Sequence, residues 1–360
     1  MRYRVLLIVL ASVPSLSYGC ADLDPDTNAH WMSGNWGIRL VLPGGNSKSV
    51  HDFDVGKLIN QIKSLKTISW VMINLNAGSI GGRFTAPLPE EKYFVDERMA
   101  PKRDLFNEVI TELKKNKLKV LVYVTAQGPL SENVTHWAPP KGNAVRPREM
   151  VLEIRSKWME LATKQNKSGK ELWAELLASY SKKYALGIDG WWFDYGQWGD
   201  AESLTASVKL GNPDAVVGWN QNHGNSDNWI YKVNKKGVMR KWVLARSHQW
   251  EDYTGGHPSP PEVHPPWWKG NYEMVEQVKH SCSIDGALAH VFMPMQENWR
   301  AGEAGFSIHT LYAWTAEITQ SGGAITWAVA LKTPEFKHAE FEARQFKQLR
   351  EIDMKLQNIN

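Results

Sequence analysis

Gly187-Ile188-Asp189-Gly190-Trp191-Trp192-Phe193-Asp194-Tyr195-Gly196 reads as a β-strand with a carboxylate at its entry and another at its exit. It follows a helical stretch from about Arg148 to Tyr184 that breaks near Ser168-Gly169. Helix then strand is part of a repeating unit, and the alternation continues in both directions. Upstream, β-rich runs lie at Gly37–Leu42, Ser69–Asn76 and Lys119–Thr125. Between them, Val55, Leu58, Ile59, Ile62 and Leu65, then Leu105, Phe106, Val109, Ile110 and Leu113, recur at helical spacing. Downstream come Ala215–Asn220, Trp242–Ser247, Ala287–Phe292 and Ala324–Val329. Helices near Tyr272–Cys282 and Ser307–Thr319 separate the last of these, and a helix bearing Ala339, Ala343, Phe346 and Leu349 closes the chain. Eight such units in a row predict an α/β fold with a parallel sheet, and eight strands close a ring: a single (β/α)8 TIM barrel. An open doubly wound sheet is disfavoured, because no Gly-x-Gly-x-x-Gly follows the first strand. No linker-like stretch divides the units, so residues 21–360 are expected to form one domain.

The composition agrees with a large packed core. Of 360 residues, 42% are hydrophobic and 22% charged, which excludes disordered, collagenous and long coiled-coil chains. A formal charge of +4 gives nucleic-acid binding no support. The unusual number is 18 Trp, more than core packing alone commonly needs.

Arg2 and Arg4, the apolar run Val5–Val13 and the small residues Ser17 and Gly19 form a secretory signal, residues 1–20. The run is too short to span a bilayer, and no other segment reaches transmembrane length. Cys20 raises the alternative of a lipoprotein cut just before that residue, although Leu16 is displaced by one place from the usual lipobox position. The protein is expected outside the cytoplasm, secreted or periplasmic. With only Cys20 and Cys282 present, no disulfide framework is expected, and Cys282 reads as a small buried residue at a helix end.

Active sites of a (β/α)8 barrel sit at the C-terminal ends of the strands. The polar exits here are Asn74 and Asn76, Tyr123 and Thr125, Asp194 and Tyr195, Asn220, Asn222 and His223, Ser247, His248 and Glu251, and His290 followed by Gln296 and Glu297. Asp194 at the mouth of an apolar strand is costly unless paired, which singles it out for chemistry; capping the next helix is the plainer reading. Asp189, at the strand's entry, reads as structural. Glu251 lies beside Trp250, and a neighbouring ring raises a carboxyl pKa by desolvation, as suits a proton donor; a solvated loop residue is the alternative. Asp252 and Glu297 are its rivals. Two carboxylates across a mouth suit glycoside hydrolysis, one attacking the anomeric carbon and one serving as acid and then base.

The stretch 187–196 resembles the strand-four nucleophile motif of barrel α-L-fucosidases of glycoside hydrolase family 29. The chain as a whole, including Trp250-Glu251-Asp252-Tyr253-Thr254-Gly255-Gly256-His257-Pro258, is more similar to the endo-fucanases of glycoside hydrolase family 168. That resemblance implies a retaining endo-1,3-fucanase acting on sulfated fucans, with Asp194 as nucleophile and Glu251 as general acid/base. The β-sandwich usual after the family 29 barrel is missing, which disfavours an exo-acting fucosidase.

Sugar faces stack on rings, and sugar hydroxyls take forked donors and acceptors. Trp192, Tyr195, Trp198, Trp219, Trp250, Trp267, Trp268 and Trp299 lie at or beyond strand exits. With Tyr123, Asn76, Asn220, Asn222, His223, His248 and His257 they are expected to line an extended polysaccharide cleft, with Pro258–Pro266 as a stiff wall. Arg83, Lys269 and Arg300 are candidates for sulfate esters, though each alone reads as ordinary surface charge. No cofactor and no metal are expected, because no His-x-His pair opens the first strand and the histidines lack tight metal spacing. A non-catalytic glycan-binding protein would keep the rings but need no carboxylate pair. The sequons at Asn133 and Asn166 are too short to carry weight.

Overall fold

The computed structural model describes residues 20–76, 83–129, 148–196, 199–220, 229–234, 237–242, 244–257, 268–296, 299, 303–332 and 339–358, with backbone alone for 148–151, 229–242 and 268–273. Five parallel strands follow in chain order: β1 (Trp36–Leu40), β2 (Trp70–Asn74), β3 (Lys119–Thr125), β4 (Gly190–Asp194) and β5 (Val216–Trp219). An antiparallel hairpin, β6 (Trp229–Asn234) and β7 (Gly237–Trp242), and a two-residue ribbon, β8 (Ser283–Ile284) and β9 (Ala287–Leu288), come next. Strands β10 (His290–Pro294) and β11 (Ala324–Ala328) complete a seven-stranded parallel sheet of order β10-β11-β1-β2-β3-β4-β5.

The helices are α1 (Lys48–His51), α2 (Val55–Ile62), α3 (Leu105–Lys115), α4 (Arg148–Lys164), α5 (Gly169–Lys183), α6 (Ala201–Lys209), α7 (Trp268–His280), α8 (Ile308–Gln320) and α9 (Ala343–Gln357). Their starts are set by side chains that satisfy the first free N–H groups. Asp54, Asp104, Asp200 and Ser307 accept from the helical backbone, and Ser168 with Glu171 forms a reciprocal capping box.

The strands of the seven-stranded sheet are buried on both faces, as helices outside and side chains inside require. Val71, Val122, Trp191, Phe193, Val217 and Trp327 face the helices, while Trp70, Met72, Leu121, Tyr123, Trp192 and Phe292 fill the interior. Large residues fit inside because small ones face them. A Cβ on Gly37 would lie 2.3 Å from Trp70 Nε1, and one on Gly218 would lie 2.6 Å from Tyr253 Cε2. At the strand-entry end, Trp31 packs edge-on to Trp70, with Ala29 and Met32 buried beside it.

Two expectations are corrected. The eight-stranded ring is a curled seven-stranded sheet, because the run expected as the sixth strand does not join it. Trp242 ends β7, and Leu244–Ser247 has no regular structure. The opening between β5 and β10 is crossed instead by Glu251–Gly256. Asp252 N–H donates to Val217 C=O, Thr254 N–H to Leu288 C=O, and Phe292 N–H to Gly256 C=O. The edge N–H groups of β5 are met by side chains: Val217 N–H donates to Asp252 Oδ2 and Trp219 N–H to Glu251 Oε1. Carboxylates thus stand where a partner strand's carbonyls would be. The second correction concerns the cysteines. Cys20 and Cys282 form a disulfide across 262 residues of chain, which holds the N-terminal segment against the end of α7. Among the described residues no helix is long and apolar enough to cross a membrane.

Candidate active site

Asp194 is the last residue of β4 and points into the mouth, 7% exposed. Its carboxylate is held from three sides. Tyr123 O–H, from the adjacent strand, donates to Oδ2. Asn220 Nδ2, just past β5, donates to Oδ1 at 2.7 Å, and Tyr195 N–H donates to Oδ1 at 3.0 Å. The last bond requires a turn that Tyr195 makes with φ of +57°, a left-handed conformation uncommon outside glycine. Such local cost concentrates at functional sites. Burial and the Asp194 charge push the Tyr123 phenol well above its ordinary pKa, so it remains a donor.

The floor beside Asp194 is aromatic. Trp192 stacks on Tyr123 with centroids 5.3 Å apart, meets Phe292 edge-on at 4.8 Å, and donates from Nε1 to Gly255 C=O at 3.0 Å. His257 leans against Trp192 at 5.8 Å and stacks on Trp299 at 4.1 Å. The result is an acid, an imidazole and flat ring faces around one opening, a combination suited to holding a sugar while a bond to it is broken.

Glu251 is placed differently from the expectation. It is 1% exposed, and both carboxylate oxygens accept backbone N–H groups, from Trp219 at 2.9 Å and from Ser247 at 2.5 Å. Burial pushes its pKa up to about 8 against the pull of those bonds. The group serves the edge of β5. Its rival Asp252 is spent on Val217 N–H, Thr27 and Lys209, and Asp189 on Lys114, Lys119 and Val120 N–H.

Other expected contacts make their bonds within the fold. Asn76 exchanges bonds with Thr125, and Asn74 with Leu42, extending the sheet through side chains. Trp219 is fully buried on the helix side, stacked on Phe193 at 4.2 Å, because its alternation along β5 turns it outward. His248 is half-buried edge-on to it, and Trp250, also half-buried, lies against His248. His290 is sealed in the interior, with Nδ1 3.0 Å from Thr254 C=O and Nε2 2.8 Å from Thr326 Oγ1. A carbonyl only accepts, so Nδ1 carries the proton; burial lowers this group's pKa to about 4. Asn222, His223, Trp198, Trp267, Glu297, Arg300 and Pro258–Pro266 lie outside the described residues, as do the side chains of Trp268 and Lys269. Among the described residues no group of three or more His, Cys, Asp or Glu could hold a metal ion.

One residue of the mouth escaped sequence reasoning. Arg39, in the middle of β1, points inward and is buried. Its guanidinium lies 5.0 Å from the Tyr123 ring centroid and 5.9 Å from that of Phe292, and Nη1 donates to Trp299 C=O at 3.2 Å. The available signal was an arginine at an alternate position of an otherwise apolar strand.

Among solved structures, an endo-fucoidan hydrolase of glycoside hydrolase family 107, P5AFcnA, is similar over 91% of this chain and 93% of its own, at 19% identity and TM-score 0.75. A second family 107 endo-fucoidan hydrolase, MfFcnA9, matches over 92% of this chain and 65% of its own, at 20% identity and TM-score 0.73. The α-L-fucosidase AlfC is more distant, at 11% identity and TM-score 0.55 over 94% of this chain and 99% of its own. At these identities the likeness establishes the shared fold. No curated protein sequence matches. The comparisons do not support the family 168 resemblance. Residues 26–360, nearly all of the chain, match the family model described as Mef1, endo-alpha(1,4)-fucoidanase, and the chain belongs to that family.

Proposed function

We propose that the protein is an exported endo-acting hydrolase of fucoidan that works by double displacement, with Asp194 as the nucleophile. The observation that carries this reading is the Asp194 carboxylate, aimed into a ring-floored mouth by three donors. In the first step an Asp194 oxygen bonds to the anomeric carbon as the glycosidic C–O bond breaks and the departing oxygen takes a proton. In the second, water attacks the same carbon, gives up a proton, and Asp194 leaves as carboxylate, so configuration is retained. We assign the proton donor to His257 rather than Glu251. An imidazole can both give and take a proton, and that of His257 is partly open to the mouth between Trp192 and Trp299. Glu251 is enclosed, with its oxygens engaged by backbone. The family description favours an α-1,4 linkage over the 1,3 linkage that the family 168 resemblance implied. Sulfated substrate, with the partly exposed Tyr195 and Trp299 as sugar contacts, belongs to the same proposal.

Export rests on the basic-apolar-small pattern that runs to Gly19, with the cut before Cys20 rather than after it so that this residue is kept, and on the Cys20–Cys282 disulfide, since such bonds persist in oxidising compartments. A sulfur held in that bond has no valence left for a lipid thioether, which favours free secretion over anchoring. The deciding experiment incubates wild type, Asp194→Asn and His257→Gln with purified fucoidans and measures new reducing ends and product size. The reading expects a ladder of oligosaccharides from wild type and a loss on the order of 10³-fold or more in Asp194→Asn. An Asp194→Asn variant of near-normal rate, or release of monosaccharide alone, would overturn it.

A further inference from the structure

Arg39 is the buried group of the mouth that this mechanism leaves unused. A guanidinium keeps its charge at any physiological pH, and burying it is costly unless its surroundings match it. Here it lies over the faces of Tyr123 and Phe292, and it donates to the carbonyl of Trp299, whose ring stacks on His257. One cation therefore touches the residue that holds Asp194 and the residue whose ring stacks on His257. We propose that Arg39 is a positioning residue for hydrolysis, fixing Tyr123 against Asp194 and Trp299 against His257. The proposal rests on the assignment of Asp194 as nucleophile.

The chemistry gives the cation a direction of action. Asp194 is an anion before attack, a neutral ester in the intermediate, and an anion again on departure. A fixed positive charge behind Tyr123 favours the two anionic states, and so favours departure of the carboxylate in the second step. The charged and titratable neighbours of Asp194 are few among the described residues. Tyr123 of β3 touches it and Tyr195 follows it, with Arg39 of β1 behind the Tyr123 ring and His257 across Trp192. Glu251 lies at Trp219 N–H, on the far edge of β5.

The test compares Arg39→Met, Arg39→Lys and Tyr123→Phe with wild type, using Asp194→Asn to assign the signal of residue 194. The pH–rate profile is one readout, and NMR titration of 13C-carboxyl-labelled aspartate without substrate is the other. Arg39→Met is expected to lower kcat about tenfold or more and to move both the acid limb and the Asp194 titration up by about one pH unit. Arg39→Lys should return the titration toward wild type but not the rate, because an ammonium lacks the flat fork that lies on two rings. Should Arg39→Met fail to fold by near-ultraviolet circular dichroism, the other two variants keep most of the volume. Tyr123→Phe must then move the titration upward, and Arg39→Lys must lose rate. An unmoved titration in Arg39→Met, or an Arg39→Lys enzyme of wild-type rate, overturns the role of Arg39 whether or not fucoidan is cleaved. A moved titration in a chain that cleaves no fucoidan would instead uphold Arg39 and sink the proposed function.

Discussion

Asp194 and Glu251 are both carboxylates buried near the ends of strands, yet their partners set them different tasks. Asp194 receives a phenol, an amide and one backbone N–H, and faces the mouth. Glu251 receives two backbone N–H groups and stands in for a strand. On the proposed assignment of Asp194 as nucleophile, the Asn220 amide is worth more to turnover than its size suggests. A hydrogen bond to a charged group contributes about 1.5–3 kcal/mol, so Asn220→Ala is expected to lower kcat/KM by roughly ten- to a hundredfold with the fold retained. Steady-state kinetics beside circular dichroism checks this. Glu251 predicts a pH signature. Its folded pKa of about 8 lies above the ordinary value of 4.5, so the native state holds one more proton than the unfolded chain between those limits. Its contribution is present below about pH 4.5 and is lost as pH rises through 8. Glu251→Gln removes that loss, and urea titrations from pH 4.5 to 8 should show a flatter stability profile. His290 acts oppositely: its folded pKa of about 4 lies below 6.5, so stability falls on acidification through that window in both proteins.

At the level of elements, the interior of the curled sheet depends on missing side chains as much as on present ones. Gly218 of β5 lets the Tyr253 ring lie against the strand, from which Tyr253 O–H reaches Trp191 C=O at 2.9 Å. Gly218→Ala forces that ring or the Glu251–Gly256 segment to move. Overpacking of this kind costs about 1–3 kcal/mol, and the change should appear as a lowered thermal midpoint. The disturbed segment leads to His257, so activity should fall as well. A thermal midpoint and rate both equal to wild type would show that the segment yields freely. The same segment explains a failure of sequence reading at this scale. Trp242–Ser247 has strand-like composition, but the opening is filled by Glu251–Gly256, where the edge N–H groups of β5 are met by the Glu251 and Asp252 side chains, which carry no periodic signal.

Across the whole molecule, the N-terminal segment closes the strand-entry end and is held there by Cys20–Cys282. Removing a native disulfide typically costs about 2–5 kcal/mol. Cys282→Ser, or reduction of wild type, is expected to lower the unfolding free energy by that amount, while rates at moderate temperature stay near normal because the bond lies at the opposite end from Asp194. Calorimetry with and without reductant, beside an activity assay, tests both halves.

Local pattern alone determined a good part of this protein. Helical spacing and apolar runs located β1 to β5, β10 and β11 and most helices, because burial on both faces leaves a continuous apolar signature. The position of Asp194 was legible too, since a carboxylate ending such a run has no packing reason to be there. Tertiary structure alone decided the rest. Which partner each carboxylate meets, that Arg39 points inward beneath Tyr123, that Trp219 faces the helices, and that Cys20 reaches Cys282 all depend on contacts between residues far apart in the chain. Spacing within one strand or helix carries no record of such contacts, because they are set by how the sheet curls and where its opening is filled.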